Sequence, residues 1–153
     1  MYKFLVNSIV ICISIPRKWT VAATQPSSIR LLRWQPPASG WIKCNFDAAW
    51  DENGSIGGFG LLFRDGEGGF LAAQVGREAG VRSALHAEAA AARAAALFLR
   101  RWSMEQVQVE GDALLVTSAI QNAGAAYSGH YGHLFEDTRK LLKEFRQWKI
   151  TFG

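Results

Sequence analysis

The sequence predicts an α/β domain built on a mixed five-stranded sheet, and three observations carry that prediction. Apolar and polar residues alternate in short segments between Trp41 and Val75, joined by turns rich in Gly and Asp. An Ala-rich stretch from Ser83 to Arg101 then repeats its apolar residues at helical spacing. After it, short β-like segments alternate with helical ones as far as Phe152.

The first strand is Trp41 to Asp47, with Ile42, Cys44 and Phe46 on one face. A turn through Asp51 to Gly54 leads to a second strand, Gly58 to Arg64. Asp65-Gly66, with Gly68 and Gly69, makes a hairpin into a third, Phe70 to Val75. Ser83 is placed to cap the first helix, whose stripe of Leu85, Ala89, Ala92, Ala96 and Leu99 is small enough to lie close to a sheet. Arg100 and Arg101 near its end suit the negative pole of the helix dipole.

Gln106 to Glu110 reads as a fourth strand, and Gly111-Asp112 leads into a second helix from Ala113 to about Gln121. A loop over 122–129, a third helix from Tyr131 to Trp148 and a fifth strand from Lys149 to Phe152 complete the order. The first three strands form an antiparallel meander. The last two arrive by crossovers and so run parallel to a neighbour.

At 153 residues, with about half of them apolar, the chain has the size and composition of one compact domain. We place that domain at residues 38–153 and read 1–37 as a peripheral leader without a folded role. The leader's apolar run, Phe4 to Ile15, is too short to span a bilayer, which takes roughly 20 residues. Asn7 and Ser8 interrupt it and no Ala-x-Ala cleavage site follows, so a nuclear or cytoplasmic location is favoured over secretion. Seventeen Lys and Arg against thirteen Asp and Glu permit an anionic partner without requiring one. Cys12 and Cys44 make neither a metal spacing nor a disulfide framework, and Cys44 reads as a reduced core residue.

Three carboxylates stand out by position: Asp47 at a strand end, Glu88 in the first turns of a helix, and Asp112 at a strand-to-helix junction. Singly, each has an ordinary explanation. Asp47 could be a solvated strand-end residue. Glu88 could serve the helix dipole, and Asp112 could cap the second helix.

Four groups of residues stand in a recognisable order: Trp34, Pro36, Pro37, Gly40, Trp41, Lys43, Asn45, Phe46 and Asp47; then Gly57, Gly58, Gly60, Arg64, Asp65 and Gly68; then Ala87, Glu88 and Ala89; then Val109, Glu110 and Asp112. On these residues the chain resembles the plant ribonuclease H-like, reverse-transcriptase-associated domains, and the resemblance covers about Trp34 to Gly153. The resemblance implies a ribonuclease H fold and hydrolysis of the RNA strand of RNA/DNA hybrids, with a retroelement as the implied origin.

It further implies two divalent ions, usually Mg2+ with Mn2+ as a substitute, held by Asp47, Glu88 and Asp112. Hard cations take oxygen ligands, and two of them about 4 Å apart can activate water and stabilise the leaving oxygen. Asp47 would bridge both ions, Glu88 would bind one and Asp112 the other. The expected partner is an RNA/DNA hybrid; no membrane and no obligate protein partner are implied, and a monomer is expected. Family members usually continue past the last strand with a helix that supplies a fourth acid or a His. Since nothing follows Gly153, and Glu136 and Asp137 lie too early to match, the expectation is a C-terminally truncated copy. A catalytically inactive nucleic-acid-binding module, or a retroelement-derived fragment, is the alternative reading.

His86, one turn into the first helix, reads as a capping-turn or packing residue, and His130 and His133 have no Cys or acid to complete a zinc spacing. Trp19, Trp34, Trp41, Trp50, Trp102 and Trp148 read mainly as packing residues; Trp50, just after Asp47, could also meet a base or sugar.

Overall fold

The computed structural model describes residues 2–6, 9–13, 34–122 and 129–153, and side chains from residue 34 onward. Seven strands and three helices are described: β1 (Tyr2–Val6), β2 (Ile9–Ile13), β3 (Ile42–Asp51), β4 (Ile56–Arg64), β5 (Phe70–Ala79), α1 (Ala84–Leu99), β6 (Gln106–Gly111), α2 (Leu114–Gln121), α3 (Gly132–Leu142) and β7 (Gln147–Phe152). β1 and β2 form a small antiparallel pair by themselves. The other five strands make one sheet in the order β5-β4-β3-β6-β7.

The mixed direction is as expected. β3 pairs antiparallel with β4, β4 antiparallel with β5, and the two crossover connections bring β6 parallel to β3 and β7 parallel to β6. β3, at the centre, therefore has two different neighbours along its length. It runs beside β4 from Lys43 to Asp51, but beside β6 only from Ile42 to Asn45.

The apolar face of this sheet carries α1, whose Ala89, Ala92, Ala95, Ala96 and Leu99 are fully buried against a core including Cys44, Phe46, Leu61 and Phe63. Alanines keep the helix close, and Phe98 extends the contact by stacking on Phe63 at 4.5 Å between ring centres. Ser83 caps the helix as expected, its hydroxyl accepting from the His86 N–H at 3.0 Å. At the far side, Arg139 on α3 is buried and donates to the Ile120 and Ala119 carbonyls, satisfying groups that the end of α2 leaves open.

Several expected boundaries move. β3, β4 and β5 are each longer than their sequence signals, because ladder pairing carries strands on through Asp51, Ile56 and Ala79. The third helix stops at Leu142 instead of Trp148, and β7 begins at Gln147. Leu141, Phe145 and Trp148 keep a helical spacing that the sequence cannot distinguish from a turn into a strand. Pairing of Gln147 and Trp148 with Gln106 and Val107 decides it. The loop over 122–129 lies largely outside the described residues, as do Trp19 and most of the leader. Next to the boundary placed after residue 37, Pro37 is buried and the Trp34 indole donates to the Asn45 side chain at 3.0 Å. Among the described residues no helix is long and apolar enough to cross a membrane.

Candidate metal centre

β3 and β6 part company at their last shared rung, Asn45 opposite Glu110. Two residues farther along each chain stand Asp47 and Asp112. Asp47 is thus in mid-strand, still paired to Gly60 of β4, rather than at a strand end; what ends beside it is the pairing with β6. Asp112 follows Gly111, where an added Cβ would collide with the Phe46 ring, so only glycine lets β6 run this close to β3. The cap position of α2 is Ala113, which makes no side-chain capping bond, so Asp112 is not the cap that its place in the sequence suggests. Glu88 comes from the second turn of α1, which lies across β3.

One carboxylate oxygen from each of Asp47, Glu88 and Asp112 lies within 4.8 Å of the others. Asp47 and Glu88 are partly buried and Asp112 is exposed. Among the described residues this is the one group of three ligand-type side chains close enough to hold a metal ion.

The electrostatics of the group are unfavourable without a cation. Burial, and then the charge of Asp112, push the Asp47 carboxyl up to about 6; the Ala48 N–H, donating to it at 2.9 Å, offsets part of the rise. Burial pushes Glu88 up to about 8, helped by Asp112 and Asp47 and again partly offset by the Ala48 N–H. Glu88 Oε2 is buried and has no hydrogen-bond partner. An acceptor left in that condition costs free energy unless a cation or proton supplies what the protein does not. Clustered hard oxygen donors around such an atom fit a divalent ion such as Mg2+ or Mn2+.

The other candidate residues have ordinary places. His86 Nδ1 accepts from the Arg82 N–H at 3.1 Å and its ring stacks on Tyr131, as a packing residue would. His86, His130 and His133 come together with Arg82, Tyr131 and Gly80 around a cavity of about 360 Å³ beside the start of α1. Burial lowers the His86 imidazole below its usual value. The Trp50 indole donates to the Val81 carbonyl at 3.0 Å, which anchors it to the loop before α1. Glu136 and Asp137 pair with Arg139 and Arg93, away from the three acids.

Sequence reading missed the polar network just behind the acids. Lys43 and Asn45 alternate with the core residues of β3, on the face opposite Ile42, Cys44 and Phe46, and both are buried. Glu110 joins them: Lys43 Nζ donates to it at 2.8 Å and Asn45 Nδ2 at 2.9 Å. Gln108 and Thr151 donate to the same carboxylate at 3.5 and 3.3 Å. The available signal was polar residues at matching alternate positions, Lys43 and Asn45 on one strand and Gln108 and Glu110 on another.

Comparison with known proteins places this arrangement. The family model described as reverse transcriptase-like matches residues 45–153. Ribonuclease H1 from the halophilic archaeon Halobacterium salinarum superposes with a TM-score of 0.66 at 24% identity, covering 74% of this chain and 86% of the other. The ribonuclease H1 known as LC11, solved in complex with an RNA/DNA hybrid, gives 0.61 at 16% identity, covering 73% and 84%. The foamy viral protease-reverse transcriptase, also solved with an RNA/DNA hybrid, gives 0.57 at 14% identity, covering 90% of this chain and 20% of the other. A search of curated proteins found no match. The five-stranded sheet and its flanking helices are the ribonuclease H fold.

Proposed function

Because this chain belongs to the reverse transcriptase-like family, we propose that it is a metal-dependent endonuclease that hydrolyses the RNA strand of RNA/DNA hybrids. The observation that carries the reading is the convergence of Asp47, Glu88 and Asp112 from β3, α1 and β6, with a buried Glu88 oxygen that nothing in the protein satisfies. Asp47, set between the other two elements, would be shared by two ions, with Glu88 on one and Asp112 on the other. Bound Mg2+ or Mn2+ would supply activation of water and neutralisation of the charge that develops at phosphorus.

The protein's own part is to hold three acids in one place and to give up protons there. Asp47 and Glu88, raised to about 6 and about 8, lose a proton when a cation binds, so ion uptake strengthens as pH rises through that range. The Arg82 guanidinium, lining a cavity with the hydrogen-bonding rings of His86, His130 and Tyr131, suits a backbone phosphate of the bound duplex, the kind of contact that positions nucleic acid without reading its sequence.

A labelled RNA/DNA hybrid incubated with the protein in Mg2+, and separately in Mn2+, tests the proposal. Cleavage of the RNA strand is expected, and Asp47→Asn should reduce it roughly a thousandfold, the equivalent of several kcal/mol of charge stabilisation. An intact RNA strand in both metals, together with salt-sensitive binding of the hybrid, would replace the nuclease by a nucleic-acid-binding module.

A further inference from the structure

We infer that Asn45 and Glu110 are positioning residues, whose cross-strand bond sets the separation of Asp47 and Asp112; the inference rests on the metal-site reading above. Asn45 and Glu110 form the last rung of the β3–β6 ladder, and each lies two residues before one of the acids. Beyond that rung no ladder pairing ties the two strands, so the side-chain bond from Asn45 Nδ2 to Glu110 Oε1, at 2.9 Å, is the closing tie before the acids.

Neither partner of that bond is free to swing. Asn45 is buried and its Oδ1 accepts from the Trp34 indole, which fixes which end of the amide faces Glu110. Glu110 is held by the Lys43 ammonium, itself bonded to the Gln35 carbonyl at 2.8 Å, and by Thr151 of β7. The carboxylate is therefore gripped from β3, β6 and β7 together. The contact of the Phe46 ring with Gly111 closes the same gap on the opposite face. Groups that orient metal ligands without touching the metal characteristically change its affinity by roughly 10- to 100-fold.

The test is Mn2+ binding by calorimetry on the parental chain, Asn45→Ala, Glu110→Gln and Leu142→Ala. Asn45→Ala removes the tie without stranding a charge and should weaken Mn2+ binding about tenfold while leaving a cooperative thermal transition. Glu110→Gln keeps an acceptor oxygen for Asn45 and should retain most of the affinity. Leu142→Ala, a core truncation remote from the acids, should lower the melting temperature and leave Mn2+ affinity unchanged; this separates positioning from lost stability. Asn45→Ala binding Mn2+ as tightly as the parent, or Leu142→Ala weakening it equally, overturns the positioning role alone. A parental chain that takes up no Mn2+ overturns the metal-site reading, and the positioning role with it.

Discussion

Glu88 and Glu110 stand a few residues from the same place and meet opposite conditions. Glu110, with its side chain 14% exposed, accepts hydrogen bonds from four side chains, among them a buried ammonium. Glu88 has a buried oxygen with no partner and two further carboxylates beside it. A carboxylate surrounded by donors stabilises the fold as an ion, whereas one surrounded by carboxylates prefers to be neutral or to hold a cation. The contrast separates an acid that builds the sheet from one that is kept for an incoming charge.

Removing Glu110 should cost the most stability. Glu110→Ala leaves the Lys43 ammonium, 3% exposed, without its counter-charge, and a loss of about 3 kcal/mol or more in chemical denaturation is expected. A loss below about 1 kcal/mol would mean that water reaches Lys43 and that the two glutamates differ less than their surroundings suggest.

Next in size is Gly111→Ala, which forces a methyl group into the Phe46 ring. About 2 kcal/mol of destabilisation is expected from the overpacking, with weaker Mn2+ binding as Asp112 shifts. An unchanged melting temperature would show that β6 can move away from β3 without penalty.

The smallest effect is at Glu88 itself and has the opposite sign. Glu88→Gln should stabilise the metal-free protein at pH 9 by about 1 kcal/mol, or roughly 3 °C, while removing a ligand. The sign follows from proton binding. The unfolded chain releases the Glu88 and Asp47 protons near their ordinary values of 4.5 and 3.8, but the fold retains them to about 8 and about 6. Between those limits the folded state holds more protons, so metal-free stability falls as pH rises from about 4 and levels off above about 8. Mn2+ should restore stability at the alkaline end, and Glu88→Gln should match the parent near pH 5. Thermal melts across pH, with and without Mn2+, check both; a parental stability that rises over this range contradicts the assignment.

Much of this contrast was visible in the residues before any fold was known. Asp47, Glu88 and Asp112 could be picked out because each lies in a motif of the family that the chain resembles, although the sequence set Asp47 at a strand end and the structure sets it in mid-strand. The alternation Ile42, Cys44, Phe46 marked the buried face of β3, and the alanine stripe marked the helix that covers it. The opposite face was not legible, because alternation groups Lys43 and Asn45 with Asp47 without saying what covers them. Their burial depends on Trp34 and Glu110, one nine residues or more before them and the other more than sixty after, and local periodicity holds no information about such partners. The end of α3 was misplaced for a similar reason: Phe145 and Trp148 keep a helical spacing, and only the presence of β6 draws the chain into β7.

By itself, the sequence determined the α/β order and the three-strand meander, because side-chain periodicity and turn chemistry are local properties, while the three acids were singled out by position together with the family motifs around them. Only the tertiary structure decided that the acids meet within 4.8 Å, that one Glu88 oxygen is buried without a hydrogen-bond partner and that Glu110 accepts from several side chains. Those outcomes depend on which strands become neighbours and where their pairing stops. Distance, burial and the sharing of hydrogen bonds are properties of the assembled sheet, and they separate one glutamate from the other.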